Sequence, residues 1–376
     1  MPGPSAGDPE LLAVLHEEIR ASGPIPFDRF MDLALYHPGR GYYARGPSRL
    51  GRGGDYYTAS DVGPAFGRVL ARQIAELDEF LGSPEPFRYV EWAAGRGLLA
   101  RDLLDALGAS HGELASRCRA TLIDRSEGMR QACAAAVPEA AVAAPGSVAC
   151  GGAGCVVAVE LFDALPVRRV RRSGGALLEV RVGWEDGGLL EVETPADPAV
   201  ASWAEDNGAA PSPGDEAEVP LRLAPALSDL ARTIDRGFLL VVDYGFEASR
   251  LYGPGHRRGT LLAYHGHSAS EDTLARVGEQ DLTAHVNLTA LAREARALGL
   301  APLGWTTQDR FLIANGILDE LEGDGAEAGV EAVKRRLQVK QLLHPHGMGR
   351  TFKVAVFAKA MDPAPVPRGL KDPFAR

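Results

Sequence analysis

Between Phe87 and Asp243, short apolar runs alternate with segments whose apolar residues recur at helical spacing. The apolar runs are FRYVEW, ATLIDRS, CVVAV and LLVVD, and a weaker run lies at residues 140–144. The segments LLARDLLDAL and GMRQACAAA lie between the first runs and have a helical pattern. Successive apolar strands joined by helices are typical of a parallel sheet covered on both faces. The pattern therefore predicts an α/β fold with a doubly wound sheet.

Other patterns flank and interrupt this core. Asp8 is placed to cap a helix over residues 9–21, and further helices are predicted over 27–36, 64–81 and 288–298. Period-two alternation with Gly-Gly turns follows residue 167 and predicts a small antiparallel insertion. The stretch TFKVAVFAKA predicts a last strand, and the proline-containing end of the chain reads as loose.

These patterns define the expected domains. Residues 1–84 form an N-terminal region of helices and loops, and residues 85–361 form the core. The core carries the β insertion at 167–220 and loops and helices on the substrate side at 246–345. Residues 362–376 are expected to be a flexible tail.

Composition narrows the function classes. The 376-residue chain has 40 Lys and Arg against 50 Asp and Glu, a formal net charge of −10, which disfavours a nucleic-acid partner. No apolar run reaches the 18 residues that suggest a membrane span, and the first residues lack the pattern of a signal peptide. The four cysteines form no CxxC motif, so we expect reduced thiols, no metal site and a cytoplasmic protein.

The stretch VEWAAGRGLLARDLL joins the first core strand to the first core helix. Gly95 and Gly97 would let a ligand approach the backbone beside a helix N-terminus. Asp124, which follows the second strand, suits a carboxylate that accepts hydrogen bonds from ribose hydroxyls. Glu91 precedes the turn and would repel a pyrophosphate, whereas it suits the cationic groups of S-adenosylmethionine. A tight turn without a ligand and a dinucleotide site are the alternatives.

The chain resembles the MidA-like family of S-adenosylmethionine-dependent methyltransferases, which includes mitochondrial complex I assembly factors. The resemblance covers roughly residues 24–359. It is carried by PIPFDRFMDLALYHPGRGYYA, GDYYTASDVGPAFG, VEWAAGRGLLARDLL, VELFDALPVRRV, LLVVDYGF and GEQDLTAHVNLTAL. It implies a class I methyltransferase core, Rossmann-like and mostly parallel with an antiparallel last strand, with helical additions on the substrate side. It also implies S-adenosyl-L-methionine as cofactor.

Three departures from the family pattern bear on the site. Ala93 stands where the family's loop has glycine, and it would strain the turn if a positive φ is required there. Val159 replaces the asparagine of the family's Asn-Glu-Leu. Where the family has an aromatic and basic cluster, this chain has Leu-Ala-Tyr-His-Gly-His at residues 262–267. With these changes, we still expect the cofactor to bind, but the identity of the methyl acceptor is left open.

Acceptor-side residues are predicted from strand ends and from the family motifs. A guanidinium acceptor needs carboxylates that hold it and help to remove a proton. The catalytic candidates are Glu160, Asp163, Glu279 and His285. The cofactor candidates are Asp55, Thr58, Glu91, Ala93, Gly95, Gly97, Asp124 and Glu160, and the substrate candidates are Tyr42, Tyr43 and Asp281.

Each of these candidates has an ordinary structural alternative. Asp163 could cap a turn, His285 could serve packing, and Glu279 could be a solvated surface charge. Asp55 and Thr58 could serve turn chemistry, and Tyr42 or Tyr43 could pack in the core.

The resemblance implies a methyltransferase that acts on a protein or peptide side chain, arginine by preference. A small-molecule methyltransferase of secondary metabolism and a non-catalytic assembly factor with the same fold are the alternatives. The retained carboxylates favour catalysis, whereas Ala93 and Val159 favour a protein that kept the fold but lost the activity. The oligomeric state is left open, with a homodimer as one option.

Overall fold

The computed structural model describes residues 7–46, 59–148, 151–321 and 329–375. The helices are α1 (Pro9–Ser22), α2 (Phe27–Tyr36), α3 (Ala59–Val62), α4 (Ala65–Leu81), α5 (Leu98–Ser110), α6 (Gly112–Arg117), α7 (Glu127–Ala136), α8 (Pro198–Asp206), α9 (Leu223–Ala231), α10 (Ala248–Leu251), α11 (Leu288–Ala297), α12 (Gln308–Ala314), α13 (Val330–Leu343) and α14 (Met348–Thr351). The strands are β1 (Ile25–Pro26), β2 (Phe87–Trp92), β3 (Cys118–Ile123), β4 (Ala141–Ala143), β5 (Ala153–Val159), β6 (Arg168–Ser173), β7 (Ala176–Glu185), β8 (Gly188–Pro195), β9 (Glu216–Val219), β10 (Arg236–Phe246), β11 (Leu262–His265), β12 (Ser268–Ser270), β13 (Asp281–Thr283), β14 (Val286–Asn287), β15 (Leu300–Thr307) and β16 (Phe352–Lys359).

The chain folds as two compact units. Unit 1 comprises residues 1–56, 162–226 and 245–293, and unit 2 comprises residues 57–161, 227–244 and 294–376. This division differs from the expected one, because the predicted N-terminal region and the predicted substrate-side region are each shared between the two units. Only long-range contacts decide such a division, and local pattern does not record them.

Unit 2 contains the predicted doubly wound sheet. Its strands lie in the order β15-β16-β10-β5-β2-β3-β4. The run from β10 to β4 is parallel, and β16 is antiparallel to both of its neighbours. The apolar strands pack with α4 and α5 in one core, in which Phe66, Phe87 and Phe238 are fully buried. The class I core and its antiparallel last strand are thus confirmed.

Unit 1 is built around antiparallel strands. Strands β6 to β9 lie within the predicted insertion, and β1 pairs with β7 at the edge of the same sheet. A second sheet, in the order β12-β11-β13, lies where the sequence predicted only loops and helices. Its strands are three or four residues long, too short for a reliable period-two signal. Helices α1 and α2 pack with β7 around Phe27 and Phe30.

The end of the chain corrects the expectation of a flexible tail. The Arg368 backbone N–H donates to Glu76 Oε2 at 2.9 Å, and the Gly369 backbone N–H donates to Gln73 Oε1 at 3.0 Å. Both acceptors lie on α4. Gly369 is buried against the Phe311 ring, so no larger residue would fit there without a shift. Composition alone gave no sign of these contacts.

Candidate functional site

The turn between β2 and α5 is held in a left-handed conformation. Ala93, Gly95 and Gly97 have φ values of 53°, 55° and 72°. The Ala94 backbone N–H donates to the Ile123 carbonyl at 3.2 Å, which ties the turn to the neighbouring strand β3. The φ of Ala93 settles the open question about the alanine: it occupies a strained conformation that glycine would adopt freely.

A small residue is required at the second glycine. A Cβ at Gly97 would lie 3.2 Å from the Cys133 Cα of α7, closer than nearly all real Cβ contacts. The Cys133 thiol also donates to the Gly95 carbonyl at 3.2 Å. The turn is therefore a compact backbone cradle, in which glycine serves both the φ angle and the close approach of α7.

Two carboxylates flank this turn. Glu91 lies in β2, is buried, and accepts a hydrogen bond from the Tyr89 hydroxyl at 2.6 Å. Burial raises the pKa of Glu91 to about 8; the Tyr89 hydrogen bond opposes this rise and the nearby negative charge of Asp124 adds to it. A buried acid of this kind favours a cationic partner, because such a partner restores the charged form.

Asp124 directly follows β3 and is also held by backbone donors. Its two oxygens accept hydrogen bonds from the Ser126 N–H at 2.8 Å and the Gly95 N–H at 3.0 Å. Burial raises its pKa to about 6, and the two backbone hydrogen bonds oppose the rise. Asp124, the turn and Glu91 thus lie together, and the acceptor oxygens of the two carboxylates fit a ligand with hydroxyl groups and a cationic end.

Glu160 lies at the end of the next strand of the same sheet. It follows β5, adopts a φ of 52°, and donates its backbone N–H to the Val242 carbonyl at 2.9 Å. The Tyr244 hydroxyl donates to Glu160 Oε2 at 3.2 Å. The predicted strand ended at Asp243, whereas β10 continues through Phe246 and so includes Tyr244.

The predicted substrate tyrosines have different environments in unit 1. The Tyr43 hydroxyl donates to Asp281 Oδ1 at 2.8 Å, so two predicted substrate residues are in direct contact. Tyr42 is fully buried in the core of the unit, which is the packing role considered for it. The ring of Tyr36 stacks on Tyr43 with centroids 5.3 Å apart.

Asp163 and Asp281 belong to the same part of unit 1. Both side chains are buried. Burial raises the pKa of Tyr264, and the charges of Asp163 and Asp281 raise it further, so both carboxylates lie near the Tyr264 hydroxyl. The Asp163 carbonyl accepts the Ala284 N–H at 2.9 Å. Tyr264 was the residue that sequence analysis passed over here, although it lies in the departing segment at 262–267.

The remaining candidates have weaker positions. Glu279 is 37% exposed and forms an ion pair with Arg45, whose Nη1 lies 3.6 Å from Oε1. His285 packs against the Phe246 ring, with centroids 5.4 Å apart, and its backbone N–H donates to Thr260 Oγ1. Asp55 and Thr58 lie outside the described residues.

Two properties of the described residues bear on the ligand class. Across residues 7–46, 59–148, 151–321 and 329–375, no group of three or more His, Cys, Asp and Glu side chains could hold a metal ion. Over the same ranges, each helix is either too short or too polar to cross a bilayer.

Comparison with known proteins gives one family and several relatives. The model of the family described as "Putative S-adenosyl-L-methionine-dependent methyltransferase" matches residues 69–306. The mitochondrial protein arginine methyltransferase NDUFAF7 homolog of Drosophila melanogaster is 27% identical over 96% of this chain and 89% of its own length. The human mitochondrial protein arginine methyltransferase NDUFAF7 is 26% identical, over 91% of this chain and 82% of its own length.

A solved structure extends the similarity to three dimensions. A Burkholderia thailandensis protein crystallised with bound S-adenosyl-homocysteine superposes with a TM-score of 0.87 at 29% identity. The superposition covers 98% of this chain and 97% of that one.

Proposed function

Because this chain belongs to the family of S-adenosyl-L-methionine-dependent methyltransferases, we propose that it methylates a guanidinium nitrogen of arginine in a protein or peptide. The observation that carries the proposal is the similarity, over more than nine-tenths of the chain, to proteins named protein arginine methyltransferase. The buried carboxylates at the candidate sites support a cationic acceptor.

The cofactor side of the proposal uses residues of unit 2. S-adenosyl-L-methionine, when bound, supplies an electrophilic methyl group on a sulfonium centre. Asp124 would accept hydrogen bonds from ribose hydroxyls, and Glu91 would pair with the cofactor's ammonium group. The left-handed backbone at Gly95 and Gly97 would let the cofactor approach without a clashing side chain.

The acceptor side rests on carboxylates. Glu160 would accept hydrogen bonds from the guanidinium and take the proton that leaves nitrogen when the N–C bond forms and the S–C bond of the sulfonium donor breaks, its electron pair going to sulfur. Within unit 1, the buried carboxylates of Asp163 and Asp281, the latter held by Tyr43, form an acidic environment that would suit a positively charged group. The convergence of Glu160 and Glu279 on one nitrogen stays a prediction, and the ion pair of Glu279 with Arg45 makes Asp281 the stronger candidate for binding.

The test is methyl transfer from radiolabelled S-adenosyl-L-methionine into two synthetic peptide pools, one with a single central arginine and one with lysine in its place. We expect label in the arginine pool, recovered as methylarginine. Asp124→Ala is the cofactor-side control and should reduce transfer about 10- to 100-fold, the effect of leaving polar partners unpaired. Label that enters only the lysine pool, or only the small-molecule fraction of a lysate, would contradict the arginine proposal.

The location of the protein in the cell is a separate proposal. We propose a cytoplasmic location from the reduced cysteines, although the relatives are named as mitochondrial proteins. Fractionation of cells that express the tagged chain tests it, and recovery in an organelle fraction would contradict it.

A further inference from the structure

Glu160 has an unfavourable backbone conformation, which contacts with neighbouring residues hold in place. A non-glycine residue at a φ of 52° is disfavoured, and such residues persist only where the surrounding structure fixes them. The Glu160 backbone is fixed by its N–H, which donates to Val242 of the neighbouring strand. Its side chain is fixed separately, by the hydroxyl of Tyr244.

Tyr244 is itself held rigidly. It lies in β10, which is paired with β16 as far as Tyr244 itself and with β5 as far as Val242, two residues earlier. Phe352 of β16 lies directly opposite Tyr244 in the register, and the two rings meet edge to face with centroids 4.6 Å apart. Aromatic pairs of this geometry restrict ring motion, so the hydroxyl stays at a fixed position.

We propose that Tyr244 is a positioning residue for Glu160 in methyl transfer. The proposal rests on the proposed function, in which the Glu160 carboxylate receives the guanidinium proton. Once Oε2 is bound by the Tyr244 hydroxyl, the plane and direction of the carboxylate group are set. Tyr244 thus acts through Glu160 and does not itself exchange a proton with the acceptor.

Tyr244→Phe removes the hydroxyl and keeps the ring against Phe352. We expect kcat for the arginine peptide pool to fall about 10-fold, the scale of one hydrogen bond to a charged group. The affinity for S-adenosyl-homocysteine, measured by calorimetry, should change less than about 3-fold, because Tyr244 leaves Asp124 and Glu91 untouched. The matched control is Tyr252→Phe, whose hydroxyl donates to the Glu218 carbonyl and which should leave kcat within about 2-fold.

A double-mutant cycle separates positioning from general support of the fold. In a Glu160→Ala background, Tyr244→Phe should change the rate less than about 2-fold, because the group on which it acts is gone. Losses that multiply in the double variant would overturn the proposal, as would an unchanged kcat in Tyr244→Phe alone. If Glu160→Ala by itself keeps full activity, the role proposed for Glu160 fails first, and the role of Tyr244 falls with it.

A second variant covers the outcome in which Tyr244→Phe fails to fold. Phe352→Leu keeps the Tyr244 hydroxyl but removes the ring that restrains it. We expect a smaller loss of kcat, about 3-fold, with an unchanged KM for the peptide, and no further loss in the Glu160→Ala background. A loss that appears in KM alone, or that persists without Glu160, would contradict the positioning role.

Discussion

Ala93 stands where the resemblance implied a glycine, and its φ of 53° gives the alanine a measurable cost. An L-residue in the left-handed region is destabilised by roughly 1–2 kcal/mol, and glycine recovers this while it loses about 0.5–1 kcal/mol of unfolded-state entropy. We therefore expect Ala93→Gly to raise the free energy of unfolding by about 0.5 kcal/mol in a denaturant titration, with cofactor affinity retained.

Ala94 provides the matched control for this prediction. It is the next residue of the same turn and is buried, but its φ is not positive. Ala94→Gly should therefore lower the free energy of unfolding by about 0.5–1 kcal/mol. Equal losses in the two variants would show that the alanine at 93 carries no strain.

The raised pKa of Glu91 predicts a pH dependence of cofactor binding. With a pKa of about 8 in the free protein, Glu91 is largely protonated at pH 6.5. A cofactor ammonium group favours the ionised form, so binding releases a proton, and affinity should rise nearly 10-fold between pH 6.5 and 7.5. Calorimetry in buffers of different ionisation enthalpy measures the proton released. Glu91→Gln should bind more weakly and without this slope; a slope that survives in Glu91→Gln would assign the proton elsewhere.

The arrangement of the turn between β2 and α5 was predictable from sequence, whereas contacts between residues of neighbouring strands were not. Glu91, Gly95, Gly97 and Asp124 stand at strand ends and in a turn, and position in the pattern is enough to bring them together. Tyr244 needs the register of β10 with β5 and β16, which no local pattern contains. The hydrogen bond between Tyr244 and Glu160 could therefore not be predicted from the sequence.

At the scale of elements, the strand–turn–helix unit formed by β2 and α5 was predicted almost to the residue. The apolar run ends at Trp92, the glycines follow, and the helical pattern begins at Leu98, so pattern and turn chemistry agree. β10 extends beyond the predicted end at Asp243 because Gly245 and Phe246 pair with β14. Pairing with a two-residue strand leaves no trace in the hydrophobic pattern.

Two glycines of similar φ, one at the end of α4 and one between β2 and α5, should differ in the stability that is lost when they are replaced by alanine. Gly82 ends α4 with a φ of 75° and has no atom within 4 Å of the position that a Cβ would take, whereas a Cβ at Gly97 would crowd Cys133. Gly82→Ala should lower the free energy of unfolding by about 1 kcal/mol, the cost of the φ angle. Gly97→Ala should cost about 2 kcal/mol, because crowding adds to the cost of the φ angle, and should also weaken binding of S-adenosyl-homocysteine. Equal costs with normal binding would remove the Gly97 turn from the cofactor site.

At the scale of the whole molecule, the sequence predicted the class I sheet but not the division into two units. The sheet follows from a repeated local pattern of strands and helices, and the resemblance supplied its antiparallel last strand. Unit 1, which lacks the class I sheet, is assembled from three separate chain segments, and its helices α1 and α2 pack with strands from residues far along the chain. Assembly of this kind depends on which apolar faces meet, and many faces of similar composition were available.

Packing of the chain end against the rest of unit 2 can be tested by mutation. Gly369 lies in the tail that composition marked as loose, yet a Cβ there would lie 2.3 Å from the Phe311 ring and 2.7 Å from Gln73 Oε1. Gly369→Ala should therefore lower the free energy of unfolding by about 1–3 kcal/mol, the scale of overpacking in a core. Gly255→Ala is the control, because nothing lies within 4 Å of its added Cβ and its φ is not positive. Denaturant titration of both variants decides: equal stability of the two would mean that the tail leaves α4 in solution, whereas a loss confined to Gly369→Ala would make the last residues part of the methyltransferase core.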